Sequence, residues 1–317
     1  MKRRRVRKNR PHNRSHHFAP LTEALIAQAE HEFCSGAVCV QTGGWAYLRS
    51  QASFGKIDEM TPEMTDALVH RFKIKNAEWI EAEILKFPRE LSIPPRVFKV
   101  LSIDGENPFK RTKREPFYKM TAEAPKDELV LDRSFALGTF LKGETRTLFF
   151  DRKLGVTRQL VCIARDACEK NPDLRVIYVL VKARPEEPAE LRQNLPSSVE
   201  IYASYINSPL QIVAEVPDFA LSRAQSLAEQ GKETLLIVDG LTYWANALNS
   251  IKLSQSGKIQ EGEVSLFFRS VEKLRQFLQA SWRLKNGGSI SILAGIRRKS
   301  EPNVVDRELA DLVSSIV

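Results

Sequence analysis

The stretch Leu235-Leu236-Ile237-Val238-Asp239-Gly240-Leu241-Thr242 limits this chain more than any other. Its branched aliphatics run together with no polar residue between them, the pattern of a strand buried on both faces in a parallel sheet. An acid at the carboxyl end of such a strand has two readings. Asp239 caps the next segment, or it holds magnesium or its water shell beneath nucleotide phosphates. From Leu129 onward strand-like segments (147–150, 175–181, 235–239, 289–295) alternate with helical ones (157–169, 208–230, 265–284). Strands separated by long helices need crossover connections, so this part predicts an α/β domain with a parallel sheet.

A chain of 317 residues is long enough for two modest domains. Its 43% hydrophobic and 27% charged content is that of a globular protein. No apolar run approaches the roughly 18–20 residues of a membrane span. The first residues lack the apolar core of a signal peptide, so the expectation is a cytoplasmic protein without membrane contact. Cys34, Cys39, Cys162 and Cys168 form no CxxC and no metal-ligand spacing; reduced thiols and no metal are expected. The net charge is +9, and much of it lies in MKRRRVRKNR at the start. Such an arm, residues 1–18, is expected to be disordered. It binds polyanions by counterion release or serves as a solvated tail; the basic-aromatic segment after it favours nucleic acid.

Residues 21–33 carry Leu21, Leu25, Ile26 and Ala29 at helical spacing and predict an amphipathic helix packed on the strands next to it. Residues 37–50 predict two strands about a Gly43-Gly44 turn. In the second strand Trp45, Tyr47 and Arg49 fall on one face. Two rings and a cation on an exposed face make a stacking platform for single-stranded nucleic acid, each stacked base being worth about 1–3 kcal/mol. On the residues alone, the same rings are more ordinarily the core of a small barrel. Residues 105–127, rich in proline and carrying Lys110-Arg111-Thr112-Lys113-Arg114, read as a linker. Its basic cluster is either a solvated connector or a phosphate contact.

The segment LLIVDGLTYWANALN, 235–249, resembles the Walker B region of the bacterial transcription termination factor Rho family. GWAYLRS, 44–50, is similar to the Gly-Phe-Gly-Phe-Leu-Arg-Ser of that family's cold-shock-like OB-fold, whose aromatic pair belongs to the primary RNA site. Met60-Thr61-Pro62 and His70-Arg71-Phe72 match further elements of the same domain, and 79–84 and 97–103 would complete the barrel. Two aromatics of the family pattern are absent: Glu59 replaces one, and the other falls near Ile93-Pro94-Pro95.

In the motor the departures are larger. Where a P-loop would carry GxxxxGK[ST], the chain has Asp151-Arg152-Lys153-Leu154-Gly155-Val156-Thr157. Gly155 and Thr157 survive, and Val156 stands in place of the lysine. The family's Asp-Glu, whose glutamate polarises the attacking water, is Lys182-Ala183, although Arg184-Pro185-Glu186-Glu187 after it is intact. Asp239 remains as the Walker B acid, followed by Gly240 where the family has serine. The family's trans-acting arginine would lie beyond Val317 and is expected to be missing. Ser256-Gly257-Lys258-Ile259 resembles the RNA-facing Q-loop, Lys285-Asn286-Gly287-Gly288-Ser289 a family turn, and Arg297-Arg298-Lys299-Ser300 falls near the R-loop.

The resemblance implies a basic arm (1–18), a short helix plus OB-fold (19–104), a linker (105–127) and a degenerate RecA-like domain (128–317). It implies a pseudo-ATPase that binds single-stranded RNA through Trp45, Tyr47, Arg49 and Lys258, with Rho or RNA polymerase as candidate partners in termination. No cofactor is expected unless the loop at Gly155 still takes ATP and magnesium. Two other readings stay open. One is a divergent NTPase using Lys153 or Arg152 with Asp239; the other is a non-catalytic subunit docking on a Rho-type ring or forming its own oligomer.

Overall fold

The computed structural model describes residues 20–50, 60–111, 114–135, 137–150, 155–256, 268–297 and 304–315. The basic arm, the segment 151–154, Lys258 with its loop and the Arg298-Lys299-Ser300 segment lie outside them.

A short helix α1 (Glu23–Gln28) leads into a barrel of β1 (Glu30–Val40), β2 (Ala46–Arg49), β3 (Glu63–Met64), β4 (Trp79–Lys86) and β5 (Arg96–Ile103), with helix α2 (Asp66–Phe72) between β3 and β4. The strands close in the order β1-β2-β3-β5-β4. Strand β4 returns antiparallel onto β1 from Glu30↔Lys86 to Ala37↔Trp79, and β3 runs parallel to β5. Val38, Leu48, Ile80, Ile84, Val97 and Val100 point inward and fill the barrel. The helix expected over 21–33 is cut short. Thr22 caps α1, but Ala29 is already extended, and the chain from Glu30 pairs with β4. A complete edge of cross-strand bonds outweighs a weak helical period, and α1 buries none of its residues.

The second unit is one mixed sheet built from β6 (Ala122–Glu123), β7 (Thr145–Phe150), β8 (Arg175–Ala183), β9 (Glu200–Tyr205), β10 (Glu233–Asp239), β11 (Arg283–Leu284) and β12 (Ser289–Arg297). The helices are α3 (Val156–Lys170), α4 (Glu187–Asn194), α5 (Leu210–Ala228), α6 (Leu241–Ser256), α7 (Phe268–Leu278) and α8 (Val304–Ser314). Strands β7-β12-β10-β8-β9 are parallel, as the alternation predicted. The short β11 and β6 add an antiparallel corner, which corrects the all-parallel expectation. The helix expected over 265–284 stops at Leu278, because Arg283 is taken into that corner. Strand β9 and helix α4 were not anticipated. Val199 to Tyr205 has too short an apolar run to separate from a loop.

Central strands are buried on both faces. Leu235 and Ile237 meet α3, while Leu236 and Val238 meet α5 and α6, so the unbroken aliphatic run is explained by two helical layers.

The two units meet on a charged, buried seam. Arg223 of α5, 3% exposed, donates to Glu200 (Nε to Oε2 2.9 Å) and to Asp104 (Nη1 to Oδ1 2.5 Å). Asp104, immediately after β5, also accepts from Gln230 at 3.0 Å and from the Trp79 amide at 3.1 Å. Of the basic cluster, Lys110 is exposed, Thr112 and Lys113 lie outside the described residues, and the two arginines are neither solvated nor free for phosphate. Arg111 pairs with Glu78, a carboxyl that burial pushes up, and Arg114 reaches Asp104 and Glu106. Lys75 bonds Glu229 at 2.6 Å, and the same carboxylate takes the Phe117 amide at 2.8 Å. Within the described residues, Arg111 and Arg114 fasten the connecting segment to the barrel, and Lys75 crosses from the barrel to Glu229 of the α/β unit.

Candidate nucleic-acid groove and nucleotide-site remnant

The alternation along β2 is as the sequence predicted. Ala46 and Leu48 point into the barrel, so Tyr47 and Arg49 point outward. What lies against that outer face differs from the expectation. Arg49 is 1% exposed, with Nη1 3.3 Å from Glu215 of α5 and 3.7 Å from Cys39 Sγ. The α/β unit covers the face at its Arg49 end, and a guanidinium there satisfies a carboxylate rather than a phosphate. Arg49 therefore does not lie on an open platform. Cys39 beside it is pushed up to about 12 by burial, against the pull of Arg49, so this thiol is no nucleophile near neutrality.

Toward the other end the face opens. Trp45 and Tyr47 are half-buried and meet edge to face, 4.7 Å between centroids at 73°. Tyr47 lines a groove of about 620 Å³ with Met60, Lys86, Phe87, Arg89 and Pro94. The walls are β2, the start of β3 and the loop from β4 to β5. Half-burial and the nearby Glu63 raise the Tyr47 phenol, so it stays a neutral donor. Lys86, Phe87 and Arg89 were not singled out from the sequence. Their signal was legible: a Lys-Phe-Pro-Arg run between two barrel strands is a basic, aromatic loop.

At the carboxyl edge of the sheet three sequence-predicted positions converge. Asp239 ends β10 in register with Gly295 of β12. A Cβ on Gly295 would stand 3.2 Å from Val156 Cγ1 and 2.9 Å from Leu160 Cδ1, so the first turn of α3 lies directly on that strand. Gly155 precedes α3 in a left-handed conformation (φ 60°), and Thr157 is half-buried in its first turn. Val156, which the family resemblance sets in place of the P-loop lysine, is 4% exposed and packs with Phe150 and Leu160. Tyr178 on the neighbouring β8 donates to Asp239 Oδ2 at 3.2 Å, and burial beside this carboxylate holds the phenol well above its usual range. A register shift after Leu180, with Lys182 at φ 57°, turns Ala183 onto the α3 face of the sheet. The residue that the family resemblance sets against the water-polarising glutamate is thus an apolar methyl in the core. Gly240, where serine was expected, has φ 101°, a conformation L side chains rarely adopt.

The nucleotide-binding domain of the ATP synthase alpha/beta family matches residues 134–315, more than half of the chain. The chain belongs to this family. Within it the protein is a divergent Rho-like member. Transcription termination factor Rho of Neisseria gonorrhoeae is 23% identical over 286 residues, covering 86% of this chain and 67% of that protein. Rho of Akkermansia muciniphila is 30% identical over 285 residues, covering 86% of this chain and 58% of its own length. The Rho-like chain therefore spans about two thirds or less of these relatives. Among solved structures, a prototypical ATPase from the type III secretion system of pathogenic bacteria superposes with a TM-score of 0.52 at 20% identity, covering 62% of this chain and 56% of that one. The ATP synthase subunit NeqB from Nanoarcheaum equitans gives 0.51 at 19%, covering 62% and 51%. Both likenesses are of fold: the Rho-like chain carries a P-loop ATPase-type domain behind a closed five-stranded barrel. No helix among the described residues is long and apolar enough to cross a membrane.

Proposed function

We propose that this Rho-like protein binds single-stranded RNA and acts in transcription termination without turning over nucleotide. The groove beside Tyr47 carries the reading. It is walled by β2, β3 and the β4–β5 loop of a closed five-stranded barrel, and those are the surfaces through which OB-folds take oligonucleotides. Tyr47 and Phe87 offer rings for stacking, and Lys86 and Arg89 offer charge to the backbone. Trp45 supports Tyr47 edge-on, and Arg49 acts through position, joining the barrel face to Glu215. Tyr47→Ala is expected to weaken binding of a short single-stranded RNA about tenfold, read by fluorescence anisotropy at fixed salt. Wild-type affinity in that variant would remove the groove from the reading.

The α/β unit supports a silent nucleotide site. Magnesium-ATP needs a cation at the first turn of α3 and a carboxylate to orient water. Val156 and Ala183 hold those positions, and both are buried in apolar surroundings. The residues present do not fit the group. Calorimetry with millimolar ATP and magnesium is expected to give no binding heat. One observation favours a second reading, a divergent NTPase: Asp239 keeps its strand end beside α3. Binding heat that disappears in Asp239→Ala would establish that reading instead.

A further inference from the structure

We propose a second contact for the same nucleic acid, in the cleft between α2 and the connecting segment; this rests on the reading of the protein as an RNA binder. The cleft holds about 590 Å³ and shares no lining residue with the Tyr47 groove. One wall is the end of α2, with Arg71, Phe72 and Lys73. The other is the connecting segment, with Phe109, Arg111 and Lys119.

Its chemistry divides into two layers. The deep layer is neutralised: Arg111, Arg114 and Lys75 are committed to Glu78, Asp104, Glu106 and Glu229. The outer layer is not, since Arg71, Lys73 and Lys119 are exposed and have no carboxylate partner among the described residues. Two exposed rings accompany these cations: Phe109, 72% exposed, lines the cleft, and Tyr118, 74% exposed, stands beside Lys119 at its margin.

The rings are held in place although they are exposed. Phe109 meets Phe72 edge to face at 5.2 Å and 76°, and the Arg71 guanidinium lies 5.7 Å from its centroid. Tyr118 follows Phe117, which is buried, stacked on Trp282 at 4.9 Å and tied by its amide to Glu229. Lys119 Nζ lies 5.9 Å from the Tyr118 centroid. Lys73 is fixed by a left-handed turn closing α2, where its amide bonds His70 and Val69 carbonyls.

Flat rings with an open face, each flanked by a cation that has no carboxylate partner among the described residues, match bases joined by phosphates. An acidic peptide would meet the charge but leave both rings without a stacking partner. The occupant is therefore single-stranded RNA, with bases on Phe109 and Tyr118 and phosphates toward Arg71, Lys73 and Lys119.

The test uses the full chain and fluorescently labelled oligouridylate in two lengths, one sufficient only for the barrel groove and one long enough to reach both. Phe109→Ala/Tyr118→Ala is expected to weaken the long RNA about tenfold and leave the short one unchanged, with an unaltered melting temperature because both rings are exposed. Arg71→Gln/Lys73→Gln is expected to flatten the salt dependence of the long RNA. Loss with Tyr47→Ala but not with the cleft variants overturns the cleft and keeps the groove. Loss with the cleft variants alone keeps the cleft and overturns the groove. No RNA binding, with poly-glutamate bound instead, overturns both and assigns the cleft to an acidic protein.

Discussion

Arg223→Ala is expected to lower the stability of the folded chain by about 3–5 kcal/mol. The guanidinium sits almost wholly buried between two carboxylates, and it bonds Glu200 through Nε and Nη2 and Asp104 through Nη1. Its removal leaves two acids inside the seam with less compensation than before. Glu200 keeps the Tyr202 hydroxyl at 2.7 Å, and Asp104 keeps Gln230 and the more distant Arg114 at 3.5 Å. Those contacts soften the loss without replacing a bidentate cation. Urea unfolding followed by tryptophan fluorescence reads the effect as a lower midpoint at unchanged slope. The Arg223→Ala/Glu200→Ala double variant should cost less than the two single changes added together, because the first change removes what the second would break. Additive costs would mean that the seam is not held as a network. The consequence reaches the proposed RNA surface, since Asp104 of the same seam also holds Arg114 of the connecting segment.

The second large effect lies within one of the segments that carry the Rho resemblance. Trp244→Ala is expected to cost about 3–5 kcal/mol. The indole is fully buried, packs edge to face on Phe277 at 4.7 Å and donates to the Ala214 carbonyl at 3.0 Å. It joins α6, α7 and α5 beneath the sheet, so truncation leaves a cavity that three helices cannot all close. Trp244→Phe should be milder, about 1–3 kcal/mol, chiefly for the carbonyl left without its donor in a dry site. RNA affinity per folded molecule should be the same in both variants. A change in affinity at constant folded fraction would give Trp244 a role that its burial does not suggest.

Other positions illustrate what could be read in advance. The strand ending at Asp239 was legible because burial on both faces needs an unbroken aliphatic run, and Leu235 to Val238 is one. The outward direction of Tyr47 was legible because a strand alternates with period two, and no tertiary contact can change that parity without a bulge. At Lys182 there is such a register shift, and it put Ala183 on the α3 face, which no count along the sequence would have predicted. Helix α1 and the start of β1 were misjudged for a different reason. Residues 29–33 have weak local preferences, and pairing with β4 decided between them.

Local pattern by itself determined the alternation of the main strands and helices of the second unit and the barrel strands around Gly43-Gly44, while the reading of Val156 and Ala183 as replaced lysine and glutamate came from the family resemblance. The alternation and the barrel strands come from residue type and spacing within one segment. Only the tertiary structure decided that Arg49 belongs to an interface with Glu215, that Arg111 and Arg114 fasten the connecting segment to the barrel, and that Phe109 stands open in a cleft. The spacing of residues fixes which side chains share a face, but what covers that face is set by segments far away in the chain. A buried cation and a solvent-facing one are the same letter until the fold brings its partner.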